Sequence, residues 1–340
     1  MIWELFKSRT VVAGSAASIA ILLGASAVHA EVQVWTSRDA QQGGVAIVAQ
    51  RQGFFEKAGV DAKVKFVSSG SEIPAGMAGG TIQVAIAGWT NPMAMVANGL
   101  PVKILAETAD SSAAFQIVVR SGSGIASAKD LDKKRLGLTR IPLVMPILMR
   151  ACAASGCDVE RITLVNMLPE DIVLAFQRGN VDAVLTWEPW ATYARKQNGE
   201  LLLSAADKVS IAGGSSEQID GLYVALFART DFLNSNPEPA KSIISALANA
   251  AEWMNVNPDA AAELISKEIN IPVDVVKETL GRVKTKLSMT TEWSDSFDRK
   301  AEYLLKAKEL PRKVTAKDAF LSGPLSQVCQ KCVSLKAGGQ

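Results

Sequence analysis

The sequence predicts an α/β fold built as two lobes, on three observations. First, strand-like and helix-like runs alternate from Glu31 to Arg229, the pattern of sheets whose strands are joined by crossover helices. Second, one arrangement of residues occurs twice. Met77 to Pro92 (MAGGTIQVAIAGWTNP) and Leu174 to Trp190 (LAFQRGNVDAVLTWEPW) each read as the end of a helix, a Gly stop, a short buried strand and an aromatic loop. Each ends at the C-terminal edge of a strand, where open α/β sheets hold their ligands. Two such edges, one per half, suggest two lobes gripping something small between them. Third, 340 residues with 48% hydrophobic content are enough for two ordinary lobes.

The elements follow in order. Glu31 to Ser37 alternates as a first strand. Val45 to Gln52 is a helix, and Gly53 to Gly59 a short second one ended by a Gly cap. Asp61 to Val67 is the second strand. Ser68-Ser69-Gly70-Ser71 is a turn rich in N-cap residues, opening a helix that runs to Gly79. Ile82 to Ala87 is a buried strand. Thr90-Asn91-Pro92 starts the next helix, with proline in its first turn. Val102 to Glu107 is the strand after it. Phe115 to Arg120 leads into the second lobe and Gly221 to Arg229 leads out. Between them come strand Arg135 to Thr139, helix Pro142 to Ala154, strand Ile162 to Asn166, helix Glu170 to Arg178 and strand Asp182 to Thr186. A helix from Pro189 to Gln197 and a strand from Glu200 to Leu203 close that set, which predicts a mixed, mostly parallel sheet. After Arg229 the chain turns helical, over Pro237 to Val256, Pro258 to Ile269, Pro272 to Gly281 and Ser294 to Glu309. One lobe is thus expected from residues 31–112 and 223–340, and the other from residues 113–222.

Composition removes several function classes. The formal charge is +2, with no run of like charges, so no nucleic-acid partner is expected. The only histidine is His29, which weighs against Ser-His-Asp and Cys-His chemistry and the common zinc sites together. No cofactor is expected. Lys7 and Arg9 precede an apolar run from Val11 to Ala27, and Val28-His29-Ala30 stands before Glu31. That reads as an export signal over residues 1–30. A retained membrane anchor is the alternative, but the run is just under spanning length and is diluted by glycines and serines. The four cysteines suit disulfides in an exported chain. Local pairs, Cys152 with Cys157 and Cys329 with Cys332, are expected, although spacing alone leaves the two other connectivities open. Cys329-Gln-Lys-Cys332 has the spacing of a redox motif, but in a C-terminal tail it favours a structural disulfide.

Four segments in a fixed order carry a family resemblance: GFFEKAGVDAKV, MAGGTIQVAIAG, DLDKKRLGLT and LAFQRGNVDAVLTWEP. Over about Val32 to Leu310 the chain resembles a periplasmic substrate-binding protein of an ABC importer, in the nitrate/sulfonate/taurine/thiamine-precursor branch. The resemblance implies a type II periplasmic binding protein fold, with two hinge strands and a ligand in the inter-lobe cleft. It also implies periplasmic localisation, action as a monomer, and delivery to an inner-membrane permease with its ATPase. A sulfonate- or taurine-like ion is the expected guest, the alternatives being a thiamine-precursor pyrimidine, an aromatic carboxylate, or a sensory role without transport. Many relatives place a Gly-Ser or Gly-Thr pair after the second lobe's first strand. Here that segment is Thr139-Arg140-Ile141-Pro142.

Candidate ligand contacts come from the strand edges. Helix N-termini offer free N–H groups to anions, which brings in Ser69, Gly70, Ser71, Gly88, Thr90, Asn91 and Thr139. The alternative is that the polar ones simply cap helices and the glycines simply turn the chain. Arg38 and Arg140 follow strand ends and could clamp an oxyanion, or be solvated surface residues. Trp89 and Trp187 could stack on a guest or fill the space between elements, and Phe115 and Tyr223 could line the cleft floor. Glu188 stands between two tryptophans, a setting that suits a cationic group. It could equally be an N-terminal helix acid, since Pro189 follows.

Overall fold

The computed structural model describes residues 31–67, 70, 72–141, 143–210 and 216–336. The expected signal peptide with His29, and also Ser69, Ser71 and Pro142, lie outside the described residues.

The chain begins with β1 (Val32–Ser37), then α1 (Gly44–Arg51), the single turn α2 (Phe54–Lys57), β2 (Ala62–Val67), α3 (Glu72–Ala78), β3 (Val84–Gly88), α4 (Thr90–Ala97) and β4 (Val102–Asp110). It then crosses to a second sheet through β5 (Phe115–Arg120), β6 (Arg135–Leu138), α5 (Val144–Ser155), β7 (Thr163–Asn166), α6 (Pro169–Gln177), β8 (Ala183–Trp187), α7 (Trp190–Lys196) and β9 (Gly199–Ser204). An antiparallel pair, β10 (Lys208–Ser210) and β11 (Ser216–Gln218), precedes the return strand β12 (Tyr223–Arg229). The remainder is α8 (Thr230–Ser235), α9 (Pro237–Val256), α10 (Pro258–Ile269), α11 (Val273–Leu280), β13 (Lys284–Thr290), α12 (Thr291–Lys306), α13 (Ala316–Ala319), α14 (Gly323–Val328) and β14 (Val333–Ser334). No helix among the described residues is long and apolar enough to cross a membrane.

Two sheets organise these elements. One runs β14-β13-β4-β12-β3-β1-β2 and the other β7-β6-β8-β5-β9. Both are mixed, but they are not mostly parallel: antiparallel pairings are as many as parallel ones. The cause is the traffic between lobes. β12 returns from the second lobe and inserts antiparallel between β3 and β4. β5 enters the second sheet antiparallel to both β8 and β9. The remaining surprise is β13, which pairs antiparallel with β4. Its first half, Lys284-Thr285-Lys286, is polar and mostly exposed, so it carries no apolar pattern to read.

Each sheet has its own apolar core. In the first lobe α9 lays Ile243, Ile244, Leu247, Ala250, Ala251 and Met254 on one face, at helical spacing, and packs against α1, α2 and β13. A fully buried Ile or Leu of this kind contributes about 1.5–3 kcal/mol. In the second lobe Leu136, Leu138, Ile147, Leu148, Ala183 and Leu185 form the centre. α5 ends at Gly156 with φ +74°, and α6 is followed by Gly179 with φ +75°. Both need a left-handed conformation that glycine adopts without a Cβ penalty. The disulfides pair Cys152 with Cys157 and Cys329 with Cys332.

The two crossing segments lie side by side. The Ser111 N–H donates to the Leu222 carbonyl at 2.8 Å, and the Leu222 N–H donates to the Ser112 hydroxyl at 2.9 Å. Asp110 in turn accepts from the Ser112 N–H at 2.9 Å.

Candidate functional site

A cavity of about 880 Å³ lies between the two sheets, against this crossing. From the first lobe it is lined by the ends of β1 and β3, the start of α4 and the start of β12. From the second it is lined by Phe115, Ile141, Leu143 and the segment from Trp187 to Trp190. These are the strand edges where an α/β sheet leaves room, because side chains beyond the last ladder bond have no neighbouring strand to pack on.

The first-lobe wall is built around the β1–α1 loop. Gly43 lets that loop fold tightly: a Cβ there would lie 2.5 Å from the Ser37 carbonyl oxygen. The tight fold brings the Asp39 carboxylate onto the Gln42 N–H at 2.7 Å, ahead of α1. Gln42 uses its other amide atom to accept from the Gly88 N–H at 2.9 Å, tying the end of β1 to the end of β3. Burial pushes the Asp39 carboxyl up to about 6, and the backbone donors of Gln42, Gln41 and Gly43 hold it from rising further.

α4 opens directly beside this loop. Its N-cap is Trp89, with no side-chain cap, and Pro92 has no N–H. The orphan donors of its first turn are therefore those of Thr90 and Asn91. Two residues bordering the cavity each carry a buried polar atom with no hydrogen-bond partner among the described residues, the Ser111 hydroxyl and the Trp89 indole N–H.

Arg38, Gly88, Trp89, Thr90, Phe115, Trp187, Glu188 and Tyr223 all border the cavity. Their parts in it differ. Trp187 is half-buried, its ring 5.7 Å from that of Phe115. Trp89 is 1% exposed, held edge-on by Tyr223 at 4.7 Å and stacked with Trp293 at 6.1 Å, so it is core and not a stacking platform. Burial, with Asp110 nearby, keeps the Tyr223 phenol well above its ordinary range and therefore neutral. Arg38 is exposed. Its guanidinium lies over the Phe66 ring at 4.5 Å and donates to the Glu268 carbonyl at 3.3 Å, which turns it to the rim.

Glu188 does not offer its carboxylate to the cavity. The side chain is 0% exposed. One oxygen accepts from Gln116 at 2.9 Å and Arg195 at 3.0 Å, with Arg282 at 3.6 Å, while the other accepts from the Thr192 N–H at 2.9 Å. It is an acid at the start of α7, neutralised by its neighbours, and a guest cation finds it already occupied.

Four expected contacts lie elsewhere. The Thr139 hydroxyl donates to the Met167 carbonyl at 2.8 Å and the Arg140 N–H to Asn166 at 2.8 Å. Those bonds tie the loop to the β7 end, and it meets the cavity through Ile141 and Leu143 instead. Asn91 folds back to donate to the Gly88 carbonyl at 3.1 Å, and Gly70 packs beside it without bordering the cavity. Conversely Asp39, Gln42, Phe66, Ser111 and Ile271 were not read from the sequence. Asp39 had a usable signal, since it immediately follows Arg38 at a strand edge. Ile271, contributed from beyond α10, had none.

On the side of the cavity near α7 the lobes touch. Gln41 donates to the Glu188 carbonyl, Arg195 pairs with Glu278 at 2.9 Å, and Lys196 pairs with Asp274 of α11.

The family described as "NMT1/THI5 like" matches residues 42–261. The taurine-binding periplasmic protein of Escherichia coli K12 is 27% identical over 232 residues, covering 68% of this chain and 68% of its own. Among solved structures, the periplasmic aliphatic sulphonate binding protein SsuA from Escherichia coli superposes with a TM-score of 0.72 at 18% identity, over 86% of this chain and 92% of that one. The desulfurization enzyme DszB gives 0.65 at 14% identity, over 88% and 99%. The fold alone therefore serves both binding and catalysis. With the family model matching more than half of the chain, the chain belongs to the NMT1/THI5-like family.

Proposed function

We propose that this chain is the periplasmic solute-binding component of an ABC importer, capturing a small organic ion of the sulfonate class between its lobes. It would hand the guest to an inner-membrane permease driven by an ATPase. The observation that carries this reading is the inter-lobe cavity, with the uncapped start of α4 and the unpartnered Ser111 hydroxyl on one wall and the half-buried Trp187 on the other. The first group suits an oxyanion and the second an apolar body. The taurine-binding relative supports the same class. A Kd near micromolar, about −8 kcal/mol, would suit such a receptor. The test is native mass spectrometry of the purified protein, followed by calorimetric titration with sulfonates, carboxylates and pyrimidines. Saturable heat with a sulfonate is expected. Heat only with a pyrimidine or a carboxylate would replace the guest class, and none with any would remove the transport reading.

A further inference from the structure

We propose that Asp39 is a specificity-determining residue that selects guests carrying a protonated amine close to their acidic head. This rests on the sulfonate reading above and adds the group at the guest's other end.

Asp39 is the carboxylate of the cavity wall that no arginine or lysine pairs, among the described residues. The other, Glu188, is held by Arg195 and Arg282. The partners of Asp39 are neutral: the Gln42 N–H at 2.7 Å, the Gln42 side-chain amide at 3.4 Å, and the backbone N–H groups of Gln41 and Gly43. They fix its orientation and leave its charge uncancelled. Its neighbour Arg38 turns away, over Phe66 and toward the Glu268 carbonyl. A carboxylate placed so repels an anionic head, which must then lie toward Thr90 at the start of α4.

The separation of the two subsites is set by one side chain. Gln42 meets Asp39 with its amide nitrogen and the Gly88 N–H with its amide oxygen, and Gly88 immediately precedes the Trp89-Thr90 turn. A guest spanning that gap needs only a short spacer between amine and sulfonate. The Trp187 ring on the same cavity favours the cationic end further, whereas Phe66 already carries the Arg38 guanidinium.

The charged groups around the cavity are Arg38, Asp39 and Glu188 with its two arginines, and Tyr223 stays neutral. Of these, Asp39 has its carboxyl raised to about 6. At pH 7.5 it is ionised and holds an ammonium. As pH falls through about 6 it takes a proton and the hold is lost.

Calorimetry with a matched pair tests this: 3-aminopropane-1-sulfonate against propane-1-sulfonate, with 4-aminobutyrate as the carboxylate counterpart. In the wild type at pH 7.5 the aminosulfonate should bind about tenfold to a hundredfold tighter than the plain sulfonate. The preference should shrink about tenfold at pH 5 and vanish in Asp39→Asn, whose amide oxygen can still accept the Gln42 N–H. Should that variant fail to fold, the wild-type pair at the two pH values still decides. Equal or tighter binding of propane-1-sulfonate at pH 7.5, or a preference that survives in a folded Asp39→Asn, overturns the proposal. Binding of 4-aminobutyrate alone, lost in Asp39→Asn, overturns the sulfonate reading and keeps Asp39 in its role. No binding of any of the three overturns both.

Discussion

The segments around Trp89 and Trp187 share one local sequence pattern and end in different surroundings. Trp89 follows the buried strand β3 and Trp187 ends the buried strand β8, and both precede a helix. Trp89 is enclosed by Tyr223 from the return strand and by Trp293 and Phe297 from α12. Among the described residues Trp187 has only Phe115 as a ring neighbour, and it keeps part of its surface on the cavity. The acid beside Trp187 is consumed by Gln116, Arg195 and Thr192, whereas Trp89 is followed by Thr90, at an uncapped helix start. Local pattern thus places a residue at the strand edge, and distant chain decides whether that edge is core or site.

The largest expected effects fall where the partners are distant. Trp89→Ala should cost about 3–5 kcal/mol of stability in urea denaturation, the range for emptying a well-packed aromatic site, and change guest affinity less than Trp187→Ala does. The reverse order would erase the distinction between the two rings. Arg195→Ala should cost a similar 3–5 kcal/mol, because the buried Glu188 carboxylate loses its nearest cation. A loss under about 1 kcal/mol would mean that Gln116 and Arg282 suffice, and Glu188 would return as a candidate guest contact. Trp187→Ala should weaken guest binding by about 1–3 kcal/mol in titration calorimetry with little change in melting temperature. Unchanged affinity with a lowered melting temperature would make it core like Trp89. Arg38→Ala should shift affinity by no more than about 1 kcal/mol, the scale of an exposed cation–π contact. A larger shift would bring Arg38 in from the rim.

Much of the fold was legible because its signals are local. The strand alternation, the glycine stops at Gly156 and Gly179 and the prolines opening α9 and α10 each act within a few residues. β13 was not legible, since it is a strand because β4 and, at its end, β14 offer it ladders. In the site, the position along the strand edge could be read, and so Trp187, Phe115 and Thr90 fell on the cavity. Side-chain direction could not. Whether Glu188 faces a guest depends on Arg195 seven residues on and on Arg282 nearly a hundred away, and Arg38 is turned to the rim by Phe66 and Glu268. Asp39 stands one residue from Arg38 at the same strand edge, and its direction is fixed by the Gln42 amides.

The paired crossing near Leu222 constrains mechanics as well as shape. Because the Ser111 and Ser112 bonds to Leu222 join the two connectors laterally, sliding or twisting one half against the other would shear both, while bending across them leaves both intact. Relative motion of the two sheets is thereby confined to something near a single degree of freedom, a bend about one axis through Leu222.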